Sequence, residues 1–334
     1  MSTAAEPAVV EEVAPSVVRI AMPVPGLADG VNVHLIRGDG PLTLVDAATP
    51  MPGSLEALTA ALDQVGVRLE QVEQLLLTHH HFDHVGLASQ IAAHSGARIV
   101  ALPAVGEVIA DPAGHFGREL AWGERHVVRH ATPDELLDGS RRALRFMGGL
   151  PGVALDRPLA DGDELAAGDL RLTAHERPGH SPTDVVLVDQ AAGVAFVGDH
   201  LFHNAPLAPV LGALFPPGMR PAAVYLEGLE RTAALDGVRL LPGHGPPLDD
   251  PAAAVGERRA SLERRIDRTA AGLGDEPTTT WGLGERVWRS PSRGRLALAR
   301  LSLLLGALEL LETRGLAERI DGDGDEPVRW RRAA

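Results

Sequence analysis

Between Thr78 and Gly86 the chain reads THHHFDHVG, and His79, His81, Asp83 and His84 set three imidazoles and a carboxylate within six consecutive positions. Side chains this polar and this crowded do not build an apolar core. The run must therefore sit where a buried segment ends and a pocket begins. Leu75, Leu76 and Leu77 come directly before it, a short apolar stretch suited to a buried strand, which places the run at that strand's C-terminal edge. Imidazole together with carboxylate suits zinc, iron or manganese, and a chain with no cysteine cannot build a thiolate structural zinc site. A metal held here is expected to be catalytic.

A histidine-rich run can also be a solvated loop that binds metal adventitiously. The rest of the chain weighs against that reading because it repeats the same grammar. His180 lies in RPGHSPTD, Asp199 in VAFVGDH after an apolar run, and His244 in LLPGHGP after another. Each comes after a strand-like segment and stands beside glycine or proline. Glycine permits the backbone turns that swing a side chain into a shared pocket, and proline ends the preceding ladder.

With these residues in view, the chain resembles the metallo-β-lactamase fold hydrolases. The family's HxHxDH pattern falls on His79, His81, Asp83 and His84, its later histidine on His180, its bridging aspartate on Asp199 and its last histidine on His244. The segment VNVHLIRGDGPLTLVDAATP looks like the family's opening hairpin, with Asp46 at its early strand-end aspartate. The resemblance covers roughly residues 15 to 250. It implies a four-layer αββα sandwich with a two-metal site: His79, His81 and His180 around one ion, Asp83, His84 and His244 around the other, and Asp199 between them.

The strand and helix pattern agrees. Apolar runs near 16–22, 31–37, 41–46, 73–78 and 97–102 read as strands, with helices at 53–65 and after His84. Residues 105–150 are polar, rich in arginine and histidine, and free of strand-like runs; they read as a helical insertion and a candidate lid over the pocket. Strands return near 153–155, 169–176, 184–189 and 193–198, with a helix at 221–234 and a strand ending at Leu241 beyond them. Trp122, Phe116 and Phe146 could line an apolar entrance, but aromatics at helical spacing are more often core.

Past Pro251 the composition turns to arginine and leucine at helical spacing. Two amphipathic helices, ERRASLERRIDRTAAGL and RLALARLSLLLGALELLETRG, flank a third, TTTWGLGERVW. LAERI, the turn DGDGDEP and VRWRR then read as a β-hairpin. The division is thus a catalytic domain at 1–250 and a winged-helix-like module at 251–334, which resembles the C-terminal appendage of hydrolases related to the lactamase-like protein 2 group. With no concentrated basic face, packing or dimerisation is the expected role, and a homo-oligomer is compatible with it.

Charge narrows the partners. The net charge is −14, and residues 251–334 carry 15 arginines against 13 acidic side chains, so the acidity lies in residues 1–250. That disfavours a nucleic-acid partner, whose binding draws on basic side chains, and favours a small-molecule substrate. All 31 basic residues are arginine, which removes lysine chemistry. No run approaches 18 uninterrupted apolar residues, and the N-terminus lacks a charged-then-apolar signal, so the expectation is a cytoplasmic protein with no membrane association.

The resemblance implies a metal-dependent hydrolase with two divalent ions, zinc first and manganese or iron as alternatives, using a bridging hydroxide to cleave an ester, thioester or lactone. Asp83 has a second expected duty as the catalytic group that orients the nucleophile and passes its proton on. Asp46 is a candidate acceptor for the outer nitrogen of a ligating histidine. His80 falls out of the ligand register and is assigned to packing or solvent. His200 and His203 are more simply structural, and Tyr225 is better read as core than as an oxyanion donor. Two alternatives stay open: a mononuclear iron enzyme of the persulfide dioxygenase type, and an endoribonuclease.

Overall fold

The computed structural model describes residues 7–203, 209–288, 296–323 and 326–334, with no side-chain description at 28, 296 and 297. Among these residues the first sheet runs in the order β1 (Val9–Ala14), β2 (Val17–Val24), β3 (Leu27–Ile36), β4 (Thr43–Val45), β5 (Gln74–Leu76), β6 (Arg98–Ala101) and β7 (Arg157–Pro158). Its first four strands pair antiparallel and the rest parallel. The second sheet comprises β8 (Glu164–Ala167), β9 (Leu170–Glu176), β10 (Val185–Asp189), β11 (Val194–Gly198) and β12 (Arg239–Pro242), antiparallel except for the β11–β12 pair.

The second sheet is buried on both faces, and the sequence says why. Val185 and Leu187 of β10, with Val194 and Phe196 of β11, join the core shared with the first sheet. The intervening Val186, Val188, Ala195 and Val197 join a separate core with Tyr225 and Leu229 of α7 (Pro221–Ala233). Apolar residues at every position, rather than at alternate ones, mark a strand covered on both sides. On the outside of the first sheet, α1 (Ser54–Gln64) packs on β1 and β2, and α3 (Ala88–Ser95) on β6. The layers are helix, sheet, sheet, helix, the mixed α/β sandwich expected.

Between β6 and β7 the chain is helical: α4 (Pro103–Ala110), α5 (Pro112–Arg129), a 3₁₀ turn at Asp134–Leu137 and α6 (Asp138–Gly148). The strand expected near 153–155 forms later, at Arg157–Pro158. Val153 N donates to Ile109 O at the end of α4, so this stretch is held by the insertion and reaches β6 only afterwards.

Residues 251–334 contain α8 (Pro251–Gly272), α9 (Thr280–Val287), α10 (Leu296–Thr313) and a sheet ordered β13 (Thr278–Thr279), β15 (Arg329–Arg332), β14 (Ala317–Ile320). β14 and β15 form an antiparallel pair, and β13 adds a short strand that the sequence reading did not include. Residues 324–325 of the DGDGDEP turn, and residue 295 at the head of the third helical run, lie outside the described residues. A third apolar core joins Ile266, Leu283, Leu308 and Trp330 to Ala222 of α7. No helix among the described residues is long and apolar enough to cross a membrane.

Candidate metal centre

Four strands end at one rim of the sandwich, and each delivers a side chain there. Asp46 comes after β4, the run His79–His84 after β5, Asp199 after β11 and His244 after β12. His180 comes from the turn between β9 and β10. Within the run, His81 caps the one-turn helix α2 (Phe82–Val85), which turns Asp83 and His84 back toward His79. Parallel strands send their C-terminal loops to the same edge, which is where pockets of α/β folds form.

The seven residues singled out in the sequence converge. His79, His81 and His180 bring ring nitrogens within 4.8 Å of one another, as do the donor atoms of Asp83, His84 and His244, and those of His79, His84 and Asp199. His81 Nδ1 lies 3.1 Å from His79 Nε2 and 2.9 Å from His180 Nε2. Asp199 spans the two groups, with Oδ2 3.5 Å from His180 Nε2 and 3.3 Å from His244 Nε2, and Oδ1 3.3 Å from His84 Nε2. Asp83 Oδ2 stands 3.5 Å from His244 Nε2.

The outward nitrogens are tied down. His84 Nδ1 lies 2.8 Å from Asp46 Oδ2, which makes Asp46 the acceptor the sequence anticipated. The same carboxylate accepts from Thr78 N at 2.8 Å and from Thr78 Oγ1 at 2.9 Å, and Thr78 Oγ1 lies 3.1 Å from His79 Nδ1. With its hydrogen on Asp46, the hydroxyl is left as an acceptor, so His79 carries its proton on Nδ1 and keeps a lone pair on Nε2. His244 Nδ1 donates to the carbonyl of Gly30, again leaving Nε2 free. Asp46 holds a left-handed backbone, φ 64°, a conformation that costs a non-glycine residue on the order of 1 kcal/mol and persists only where the surroundings impose it. Its three bonds are that imposition.

Two of the inward atoms make no hydrogen bond. His84 Nε2 and Asp199 Oδ1 are buried with no hydrogen-bond partner, although buried polar atoms almost always have one. Ring nitrogens and carboxylate oxygens facing one another across a few ångströms, with three of the rings fixed from behind, are compatible with a cation site. Electrostatics divide the set. Burial, with His84 and His81 beside it, holds His79 well below the ordinary imidazole value, and burial with His180 takes His81 down to about 3. Burial is the largest single effect on His84 and His244 and lowers both, but Asp199 and Asp83 together, with Asp46 also beside His84, outweigh it, raising His84 well above the ordinary value and His244 up to about 10. Burial would raise Asp83, yet His84 and the bond with His244 bring it down to about 2.

Two glycines form the floor. A Cβ at Gly243 would fall 2.5 Å from Asp199 Oδ1 and 2.6 Å from His84 Cε1; one at Gly198, φ 47°, would fall 2.6 Å from Thr78 Oγ1. Only glycine fits at either position.

The other candidates resolve plainly. His80 is buried, with N and Nδ1 on Thr183 Oγ1 at 3.1 and 2.8 Å, so it packs and does not face solvent. His200 is fully buried against Thr232 Oγ1 at 2.9 Å, and Tyr225 donates to His200 O at 2.8 Å from inside the second core, which removes it as an oxyanion donor. His203 is exposed. Phe116 is buried, Trp122 half-buried and Phe146 exposed. Thr78 and Gly30 are the contributors that sequence reasoning missed. Thr78 was readable as the hydroxyl adjoining the first ligand; nothing in the sequence points to a carbonyl 214 residues before His244.

Residues 26–244 match the sequence profile of the metallo-beta-lactamase superfamily, and the chain belongs to that superfamily. It is similar to the probable metallo-hydrolase YqjP of Bacillus subtilis, 26% identical over 304 residues, covering 89% of this chain and 92% of that protein. A hydroxyacylglutathione hydrolase of Methylobacterium nodulans is 27% identical over 280 residues, 80% of this chain and 86% of the relative. Among solved structures, a metallo-beta-lactamase family protein from Thermus thermophilus superposes with a TM-score of 0.79 at 28% identity, over 96% of this chain and all of that one.

Proposed function

We propose that this protein is a dinuclear metal-dependent hydrolase that cleaves an ester, thioester or lactone. The observation that carries the reading is the pair of donor groups spanned by Asp199. His79, His81 and His180 would hold one divalent ion, Asp83, His84 and His244 the other, and Asp199 both, with zinc as first choice for a set of imidazoles and carboxylates. Two such ions supply a hydroxide-level nucleophile at neutral pH and polarise the carbonyl under attack.

The chain's own side chains do the rest. Asp46, Thr78 and the carbonyl of Gly30 fix the ring orientation of His84, His79 and His244, so the donors need no rearrangement when a cation arrives. Asp83 is the catalytic residue: only part of its carboxylate is engaged by His244, and its half-exposed position lets the free oxygen orient the nucleophile and carry a proton to the leaving group. The likeness to a hydroxyacylglutathione hydrolase supports an acyl substrate. We retain the division at residue 250 and a packing or dimerisation role for the winged-helix-like region; the apolar core that it shares with Ala222 of α7 supports packing.

The test is metal content per chain in protein purified without added metal, and then turnover of a panel of thioesters, lactones and RNA. Two equivalents of zinc or manganese with acyl hydrolysis are expected. One equivalent of iron with oxygen consumption would sink the reading, as would cleavage of RNA alone.

A further inference from the structure

We infer that Asn32 is the positioning residue of His244, and that this amide, with Arg19 behind it, sets how tightly the ion at Asp83, His84 and His244 is held. The inference rests on the two-ion reading above and adds to it the group that governs one of the two sites. Asn32 is fully buried, and its backbone N donates to Gly243 O at 2.7 Å. Its Nδ2 donates to Pro242 O and to Gly245 O, each at 2.8 Å. One residue thus holds the carbonyls on both sides of His244. Two positions earlier on β3, the carbonyl of Gly30 accepts from His244 Nδ1.

The clasp follows from a mismatch in strand length. β3 runs from Leu27 to Ile36, but β4 pairs only with His34, Leu35 and Ile36, so the earlier part of that edge meets no strand there. Buried backbone groups need partners. Residues 30 and 32 point theirs the same way, since a strand repeats every two residues, and the turn after β12 takes the place a strand would fill. That turn is weakly specified by itself. β12 ends at Pro242, and Gly243 and Gly245, the latter at φ 76°, leave the backbone on either side of His244 permissive. Besides the bond from Gly243 N to Gly198 O, the turn is fixed from the first sheet.

An amide is the side chain these partners demand. Two carbonyls face one end of it, which must therefore be the NH2 group, and a guanidinium faces the other. Arg19 Nη1 donates to Asn32 Oδ1 at 3.3 Å and to Gly245 O at 3.2 Å, while Arg19 Nη2 donates to Glu11 Oε2 at 2.8 Å. Aspartate has the same shape but would turn lone pairs toward both carbonyls. The reach of the clasp is selective. Among the described residues, these bonds of Asn32 and Arg19 run to the His244 turn, to each other and to Glu11, and none runs to His79, His81 or His180. Removing the amide should therefore loosen one ion and spare the other.

The experiment is zinc titration against a competing chelator on the full chain and on Asn32→Ala, Asn32→Asp and Arg19→Met, with elemental analysis for the equivalents bound and circular dichroism for the fold. In both Asn32 variants one zinc should bind about 10- to 100-fold more weakly and the other within about twofold of its original affinity, and Arg19→Met should weaken the same zinc by a smaller factor. Single-ion backgrounds identify which zinc it is. Built into His180→Ala, Asn32→Ala should weaken the zinc that remains; built into His244→Ala, it should change nothing further. Equal weakening of both ions, unchanged affinity for both, or a full effect in the His244→Ala background would overturn the inference and leave the two-ion reading intact. Should Asn32→Ala fail to fold, Asn32→Asp and Arg19→Met decide by the same criteria. An original chain that takes up a single zinc would bring down the two-ion reading and the inference with it.

Discussion

Two regions of this molecule are dense in histidine, and they behave in opposite ways. At the rim of the sandwich, five imidazoles and two carboxylates face one another, and His84 Nε2 and Asp199 Oδ1 make no hydrogen bond. Along α5 and at its C-terminal end, His115, His126 and His130 form no donor group with the carboxylates of that helix: His126 stacks on Trp122 at 4.3 Å, His130 Nδ1 lies 3.0 Å from Thr280 Oγ1, and His115 packs on Phe116. None of the three enters a donor group among the described residues. Histidine density alone does not make a cation site. Interleaved carboxylates, and anchors that turn the lone pairs inward, make the difference.

The sharpest way to break the contrast is Asp199→Ala. Losing the one carboxylate common to both donor groups should lower turnover on the order of a thousandfold and reduce bound metal to one equivalent or less, read by elemental analysis. Asp46→Asn comes next. It reaches His84 directly and His79 through Thr78, so metal affinity should fall about 10- to 100-fold in chelator competition with the fold retained.

Acid should destabilise both regions, and the share of α5 can be read by substitution. Burial holds His115 at about 4 and His130 at about 2, the latter with His126 and Arg129 adding to it. A histidine depressed on folding contributes fully above its unfolded value near 6.5 and loses that contribution as pH falls toward its folded value. Each buried ring should cost on the order of 1 kcal/mol per pH unit between 6.5 and its folded value, and the melting temperature should drop accordingly on going from pH 7 to pH 5. His115→Phe should flatten that slope; an unchanged slope would remove α5 from the account. Tyr225→Phe should cost about 1 kcal/mol in urea unfolding for the lost bond to His200 O, with turnover kept. The smallest effect belongs to His126→Phe, which preserves the stack on Trp122 and should leave both metal content and turnover at their original values.

The candidate donors were readable because their grammar is local: His79, His81, Asp83 and His84 crowd into one run after an apolar stretch, and His180, Asp199 and His244 each adjoin glycine after another, so chain position alone places them near strand ends. Asp46 was readable for the same reason, at the end of β4. The anchor on His244 was not, because a backbone carbonyl carries no residue-type signal and pairs across the whole domain. The insertion was legible as helix but not in its attachments. Trp281 N donates to His130 O and Val328 N to Arg129 O, so the end of α5 is fastened to the C-terminal region by backbone bonds that no periodicity encodes. The shift of β7 from 153–155 to Arg157–Pro158 has the same origin, since an apolar triplet suits a strand until a neighbouring helix end captures it.

The absence of side chains at Gly198 and Gly243 has a practical consequence for anyone diversifying this protein. A combinatorial library that randomised the loops after β11 and β12 would be dominated by dead clones, because the first added methyl group collides with Asp199, His84 or Thr78 before chemistry is ever tested. Laboratory selection for new substrates would do better to vary the insertion.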